Sequence, residues 1–358
     1  MPRKRNLILD AGLDRAALST WPDLFANAAV GTGTNPVKRD SGAVTFSRAG
    51  DVVTASAGFF EAGDVGRLIK WDTGEEDYIS AFTSGTEVQT IGSGTIAAAE
   101  GTIWYVDRTA LQTETKRSNT YGTDTGDNGT TFASAALTHK RTFIFSEEVA
   151  PITYNEIGWS WTATPGANLF GMDLISGGVS LLAGQKLKVI VELTLDLSPA
   201  ASTPWSNVIT GWSQDGDCSF ESVPPDINAV GSFVQASGAT SNQTFGRSAL
   251  EPSHTKVVIV STLSDALVGI TASQISTTGG IIEKLAPPAS YITGSFSRDF
   301  TVQFTDAEAN STAIRSLILG QNSLVRVFRV LLDAPETKDS DHSLSITFTL
   351  TWGRVLVN

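Results

Sequence analysis

The sequence predicts an all-β fold that contains two antiparallel β-sandwich domains, and three observations support this prediction. Short apolar runs end in glycine again and again, which is typical of strands joined by tight turns. Apolar residues alternate with polar residues in two segments that begin at Leu187 and at Leu344, as expected of strands that bury one face. The spacing between those two leucines is the same as that between Arg141 and Arg298. We therefore interpret the two sandwiches as a tandem duplication.

The elements of the N-terminal half follow from local patterns. A partial apolar stripe predicts one short helix within residues 6–27, and Pro22 is expected to begin a second turn. Residues 44–106 contain a compact series of strands and turns, which predicts a small all-β unit. Residues 112–135 are polar and glycine-rich, so they are predicted to form a long loop or an arm laid on a neighbour.

The remaining elements belong to the repeated segments. Residues 136–199 hold the first copy, and a second copy runs to the C-terminus with Trp352 placed in a core strand. Between them, residues 200–290 are irregular and contain prolines, with the predicted strands KVVIVSTL and GIIEKL embedded in them. We divide the chain into an N-terminal domain, 1–199, and a C-terminal domain, 200–358, that begins with long loops.

The sequence has few charged residues and is acidic overall, which bears on the partners that the protein can bind. Charged residues make up 17% of the 358 residues, whereas soluble proteins average roughly 25%. The net charge of −12 argues against a nucleic-acid-binding surface, which needs clustered lysine and arginine. The basic cluster at residues 3–5 is interpreted as a solvated tail, with docking on an acidic neighbour as the alternative.

Cysteine usage and hydropathy bear on where the protein is made. Cys218 is the only cysteine, so no disulfide can form within the chain, and synthesis in a reducing cytosol is expected. The N-terminus lacks the apolar core of a signal peptide, and no run of about 18 apolar residues occurs. We expect a protein made in the cytoplasm that has no membrane partner.

Residues that could carry chemistry are sparse in the sequence. The GTGT segment, residues 31–34, lacks the spacing and the following helix of a phosphate loop, so a structural turn is predicted. The three histidines match no metal-ligand spacing, and no GxSxG elbow or EF-hand pattern occurs. Acidic clusters at 75–77, 147–148 and 306–308 are interpreted as turn residues, because neighbours on a strand point to opposite faces. We predict no catalytic residue, no cofactor and no metal.

Two tryptophans at alternate positions, Trp159 and Trp161, share a face of a predicted strand. They are interpreted as core or subunit contacts, with a sugar-stacking platform as the alternative. Stacking on single-stranded nucleic acid would favour basic residues beside the tryptophans, and the sequence has none there.

A set of turn residues is predicted to serve folding and not to bind a ligand. Its glycines allow a positive φ or a close backbone approach. They are Gly31, Gly33, Gly63 and Gly66. Asp64 is predicted to bond backbone amides of its own turn, and Val65 and Ile69 are predicted to anchor the next strand.

Three groups of motifs resemble structural proteins of tailed-bacteriophage virions. NLILDAGLD (6–14) with AVGTGT (29–34) is similar to the N-terminal phrase of many phage tail and fibre proteins. FFEAGDVGRLI (59–69), with ISAFTSGTEV and TIWYV after it, resembles a small β module common in phage structural proteins. YNEIGWS (154–160), NLF and GQKLKV look like the second half of the sandwich that the GTGT phrase opens. The resemblance covers roughly residues 6–199.

The resemblance implies a non-enzymatic component of a phage tail, fibre or neck (collar). Such a protein would self-assemble into a homo-oligomer and bind other virion proteins. It also implies that the small β module, at about 44–107, is inserted in the first sandwich. A capsid decoration or head-fibre protein and a glycan-binding receptor-recognition protein are the alternatives. A polysaccharide depolymerase is disfavoured because the chain lacks the regular short repeat of a parallel β-helix.

Overall fold

The fold is described from a computed structural model. It describes residues 7–16, 24–133, 136–196, 203–205, 216–220, 256–260, 281–287, 289–308, 313–322, 325–354 and 356.

The described part of the chain consists mostly of antiparallel strands, so the predicted all-β class is confirmed. Its helical elements are α1 (Asp10–Ala16) and a 3-10 turn (Ala62–Asp64). The strands of the N-terminal half are β1 (Leu7–Ile8), β2 (Asn27–Gly31), β3 (Lys38–Asp40), β4 (Phe46–Ala49), β5 (Val52–Ala55), β6 (Leu68–Trp71), β7 (Glu76–Ser84), β8 (Glu87–Thr90), β9 (Thr95–Ala99), β10 (Gly101–Trp104), β11 (Glu114–Ser118), β12 (Gly129–Ala133), β13 (Ala136–Ile144), β14 (Ile152–Ser160), β15 (Leu169–Leu181) and β16 (Lys188–Asp196). Those of the C-terminal half are β17 (Thr203–Trp205), β18 (Gly216–Phe220), β19 (Lys256–Val260), β20 (Ile281–Leu285), β21 (Ser297–Phe304), β22 (Ala313–Asn322), β23 (Val325–Thr337) and β24 (Leu344–Thr351).

Two sheets form what we call the N-terminal sandwich. One has the order β1-β15-β14-β2-β11 and the other has the order β12-β13-β16. Alternate residues of each sheet face the other and bury their side chains in one shared core, which is what holds the two layers together. Its largest fully buried members are Phe25, Phe143, Phe145 and Tyr154.

Strands β3 to β10 form a separate eight-stranded sheet, which we call the inserted module. Its chain leaves the N-terminal sandwich after β2 and returns at β11, and those two strands pair with each other. The module has its own core around Phe46, Ile69 and Trp71. A second apolar cluster joins module residues such as Leu68 to sandwich residues such as Met172.

The C-terminal sandwich contains a sheet with the order β17-β18-β23-β22-β19-β20 and a second sheet, β21-β24. The sequence-predicted strands within 200–290 are present as β19 and β20. Buried apolar side chains come from both of its sheets. They include Phe300, Val302, Phe304, Leu317, Val330 and Leu344.

The strand order of the N-terminal sandwich recurs in the C-terminal one. The order β1-β15-β14-β2-β11 corresponds to β18-β23-β22-β19-β20, and the pair β13–β16 corresponds to β21–β24. The corresponding strands also follow one another in the same sequence along the chain, and every pairing is antiparallel. Phe143 of β13 pairs with Val189, whereas the corresponding Phe300 of β21 pairs with Phe348. The register of the β21–β24 pair therefore differs by two residues from that of the β13–β16 pair. Because side chains alternate between the two faces of a strand, a shift of two residues leaves the same side chains facing the core.

Three sequence predictions need correction. Among the described residues of 6–27, the helix covers Asp10–Ala16, whereas Leu7 and Ile8 pair with β15 and Asn27 begins β2; the turn predicted at Pro22 lies outside the described residues. Residues 112–135 contain β11 and β12 and so are not one long loop. They look loop-like in sequence because β11, at a sheet edge, carries ion-pairing side chains. Trp352 follows β24 and is only partly buried, so it is not a core-strand residue.

Residues 352–354 and 356, which we call the C-terminal strap, lie against the N-terminal half. The Trp352 indole stacks on Tyr291 with ring centroids 5.7 Å apart and donates a hydrogen bond to the Leu13 carbonyl at 3.0 Å. Arg354 pairs with Asp10 of α1. The strap therefore connects the C-terminal sandwich to the helix of the N-terminal one.

Candidate functional site

The GTGT segment is a structural turn in which groups of the same chain accept from the backbone N–H of Gly33 (the Glu156 carboxylate), of Thr32 (the Thr113 carbonyl) and of Thr34 (the Gln112 side chain). Glu156, on β14, is 1% exposed and accepts hydrogen bonds from the backbone N–H groups of Gly33 (3.1 Å), Gln112 (2.8 Å) and Thr113 (2.7 Å). The segment leads into a strand and not a helix, so no helix N-terminus adds to an anion site there. This geometry agrees with the structural interpretation of the turn.

The predicted turn glycines differ in what requires them. A Cβ at Gly33 would lie 2.6 Å from the Glu156 carboxylate, and one at Gly31 would lie 2.3 Å from the Thr113 carbonyl oxygen, so close approach requires both glycines. Gly66 has a φ of 87°, which favours glycine. Gly63 has neither a positive φ nor a close neighbour, so the structure shows no requirement for glycine there.

Asp64 closes its own turn in the inserted module, as the sequence predicts, and also holds two arginines. Its fully buried carboxylate accepts from the Glu61 backbone N–H at 2.8 Å. It also pairs with Arg39 at 2.5 Å and with Arg67 at 2.8 Å. Sequence reasoning missed Arg39 because it comes from β3, which only the fold brings to this turn, whereas Arg67 is three residues from Asp64 and is a local partner that the turn pattern did not indicate.

The predicted anchors of the strand after this turn are not equivalent. Ile69 is fully buried in the module core, whereas Val65 is 44% exposed and does not belong to that core, so the prediction holds for Ile69 and not for Val65.

Two of the three acidic clusters found in the sequence hold loops, whereas Asp77 of the third is buried on β7 and pairs with Arg48 at 2.7 Å, so the turn interpretation is wrong for Asp77. Glu148 pairs with Lys116 at 2.8 Å and accepts from the Tyr154 hydroxyl at 2.8 Å. Burial raises the pKa of Glu148, but these two donors outweigh it, so the pKa lies below its ordinary value. The corresponding Glu308 pairs with Lys284 at 2.5 Å, and this bond together with the Thr305 N–H holds its pKa at about 2.

The Lys116–Glu148 pair recurs in the second copy. Lys116 lies on β11 and Lys284 on β20, which are corresponding strands, and Glu148 and Glu308 lie in corresponding loops. Each carboxylate thus fastens a loop, that between β13 and β14 or that between β21 and β22, to the edge of the larger sheet of its sandwich.

The histidines of the described residues have local partners. Burial, assisted by the nearby Arg141, lowers the pKa of His139 to about 4, so its ring is neutral near pH 7. That ring meets Phe25 edge-on with centroids 5.4 Å apart. His342 contacts Asp339 at 2.7 Å, and His254 lies outside the described residues.

The two candidate tryptophans pack against the core of the N-terminal sandwich. Trp159 is 3% exposed, and its ring lies so close to Gly171 that a Cβ there would be 2.5 Å away. Trp161 is partly buried beside Arg15, whose guanidinium carbon lies 5.8 Å from the ring centroid. Trp159 offers no ring face to a sugar in this structure, in agreement with its core interpretation.

Two long edge strands make up the candidate functional surface. β16 pairs with β13 through nine consecutive residue pairs without a register shift, and β24 pairs with β21 through eight. Among the described residues, no strand pairs with the other edge of β16 or of β24. Ile190, the third residue of β16, is 55% exposed on the outer face. An unpaired strand edge is a template for pairing with another chain.

A second exposed feature is an apolar tip at one end of the N-terminal sandwich. Val149 is 96% exposed and Leu182 is 64% exposed, and they lie in two loops joined by backbone hydrogen bonds between Glu148 and residues 184–185. The corresponding loops of the C-terminal sandwich are polar, with Asp306, Asp339 and His342.

Comparisons of the chain with family models, with curated proteins and with solved structures gave no match. Within the described ranges, no group of three or more His, Cys, Asp or Glu side chains is arranged to hold a metal ion. No helix of the described residues is long and apolar enough to cross a membrane.

Proposed function

We propose that this protein is a non-enzymatic structural component of a tailed-phage virion, in the tail or neck. It self-assembles through its sandwich edges and binds other virion proteins. The observation that carries the proposal is the presence of a long, regular edge strand in each copy of the doubled sandwich, β16 and β24. Closed symmetry is the usual outcome when identical chains associate.

The phage assignment rests on the resemblance of three groups of sequence segments, and the placement of the first and third groups supports treating these two as one unit. NLILDAGLD contributes β1 and α1, and a Cβ at Gly12 would lie 2.2 Å from the Phe170 carbonyl oxygen of the NLF segment. The AVGTGT segment pairs with YNEIGWS, and the Asn155 amide donates to the Thr32 carbonyl at 3.0 Å. Motifs distant in sequence thus form one continuous sheet.

Self-association is tested by sedimentation velocity and native mass spectrometry on the purified full-length chain over a wide concentration range. We expect a discrete oligomer. A monomer at every concentration, also in the presence of particle proteins, contradicts the proposal.

The location is tested by electron microscopy of purified particles labelled with an antibody against residues 200–358. Label at the tail or neck supports the proposal. Label over the head favours a capsid decoration or head-fibre protein. Particles without label contradict the virion assignment.

A further inference from the structure

The geometry points to the open edge of β16 as the surface on which a second copy of this chain pairs. The two β16 strands run antiparallel about a two-fold axis that passes through Ile190. This inference rests on the proposed self-association and names the surface and the partner.

The backbone of β16 determines which residues can bond to a partner strand. The Phe145 N–H donates to the Leu187 carbonyl at 2.9 Å, so Leu187 directs its backbone groups toward β13. Backbone direction alternates along an antiparallel strand. The backbone groups of four residues therefore point to the open edge. They are Lys188, Ile190, Glu192 and Thr194.

A two-fold axis at Ile190 aligns these outward-pointing residues with each other. On the outer face, Ile190 lies opposite its own copy, and Lys188 lies opposite Glu192 on both sides of the axis. On the inner face, Val189 lies opposite Val191, so apolar residues meet apolar residues. Side chains directly opposite each other across antiparallel strands have Cβ atoms about 4.5–5.5 Å apart, and opposite charges or apolar pairs there are favourable.

Shifting the register by two residues removes this match. Ile190 would then face Lys188 or Glu192 of the partner instead of its own copy. Lys188 already contacts Asp127 of its own chain at 2.8 Å, but an ammonium group has three donors and can serve both carboxylates. The charge pattern of β16 is therefore self-complementary in one register.

The exposure and regularity of β16 fit this role. Val189, Val191 and Leu193 keep 8%, 5% and 7% exposure, whereas Phe143 on the neighbouring β13 has none. A second sheet beside β16 would cover this residual apolar surface and the exposed Ile190. Strand edges that avoid pairing are usually short, bulged or interrupted by proline. β16 has nine residues, pairs with β13 without a bulge and contains no proline.

The first test is cross-linking through a single thiol. Ile190→Cys is made in a full-length Cys218→Ser background and oxidised with copper phenanthroline. The Cα atoms of a hydrogen-bonded antiparallel pair lie about 5.5 Å apart, within the range of a disulfide. We expect a covalent dimer on a non-reducing gel that disappears on reduction. Thr194→Cys, on the same strand but off the axis, and Thr347→Cys, on β24, are matched controls expected to cross-link far more slowly.

The second test measures the affinity without a covalent bond. Ile190→Asp places two carboxylates opposite each other at the axis, so the dissociation constant should rise at least about tenfold. Thr194→Asp, which would face Lys186 of the partner, should leave it unchanged or lower it. Circular dichroism checks that both variants fold.

The outcomes separate this surface from the proposed function. If the wild type self-associates but Ile190→Cys cross-links no faster than the controls, or Ile190→Asp dissociates no more readily, the β16 surface is wrong and self-assembly stands. Preferential cross-linking of Thr347→Cys would assign the contact to β24 instead. A wild type that is monomeric at all concentrations overturns both.

Discussion

Glu156 stabilises the N-terminal sandwich by accepting three backbone hydrogen bonds from two loops that flank the inserted module. Buried polar groups that remain unpaired are costly, and hydrogen bonds to a charged acceptor are stronger than those between neutral groups. One side chain of β14 thus fixes both points at which the chain leaves the sandwich and returns to it.

We predict that Glu156→Gln destabilises the protein by about 2–4 kcal/mol, because an amide nitrogen would face a backbone donor and the charge would be lost. The change is measured by denaturant unfolding. Glu147→Gln is the matched control, since the Glu147 side chain is 60% exposed and its contact with Lys186 is long, at 3.3 Å. Equal stability of the two variants would contradict the role assigned to Glu156.

Sequence reasoning predicted part of this site. The GTGT turn and the hydrogen bond that the Asp64 carboxylate accepts from a backbone N–H of its own turn follow from the local preferences of glycine and aspartate, so they could be predicted. Glu156, which accepts the hydrogen bond from the turn, could not be predicted. It lies 123 residues away from Gly33 along the chain and looks like any acidic residue on an alternating strand. A buried acid is recognised only when the fold supplies its donors.

At the scale of elements, more strands take part in the repeat than the sequence indicates. Four strands of each copy, β13–β16 and β21–β24, lie in the repeated segments, and long alternating patterns predicted β16 and β24 among them. The other corresponding strands are short, and β2 (NAAVG) is buried on both faces, so it shows no alternation. The inserted module also separates β2 from β11, which hides their pairing from sequence inspection.

The recurring lysine–glutamate pair makes stability depend on pH. The folded pKa of Glu308, about 2, lies below the ordinary carboxylate value, so its ion pair stabilises the C-terminal sandwich above that value. This stabilisation is lost as the pH falls from about 5 toward 2.

We therefore predict that Glu308→Gln lowers the thermal midpoint at neutral pH and that the difference from wild type narrows at about pH 3. Differential scanning calorimetry at the two pH values measures both differences. Glu147→Gln, which removes an exposed carboxylate, should differ little from wild type at either pH. A Glu308→Gln difference that stays constant or widens in acid would contradict the assigned ion pair.

At the scale of the whole molecule, the C-terminal strap and α1 bring three units together at Asp10. Its carboxylate accepts from the Tyr78 hydroxyl of the inserted module at 2.9 Å and pairs with Arg354 of the strap. Burial raises the pKa of Asp10 although Arg354 and Tyr78 favour its charged form. Nearby, Asp14 accepts from the Tyr291 hydroxyl at 2.5 Å and the Gly294 N–H at 2.7 Å. Polar contacts of α1 therefore link the C-terminal sandwich to the N-terminal half.

A double-mutant cycle on Asp10 and Arg354 measures how strongly these units are coupled. The Arg354 side chain is 4% exposed, so Arg354→Met leaves a partly buried carboxylate without its main counter-charge and should cost about 3 kcal/mol. Asp10→Asn combined with Arg354→Met should recover part of that loss, because no buried charge remains. We expect a coupling energy of about 1–3 kcal/mol by denaturant unfolding, whereas additivity within about 0.5 kcal/mol would show that the strap is not coupled to the helix through this pair.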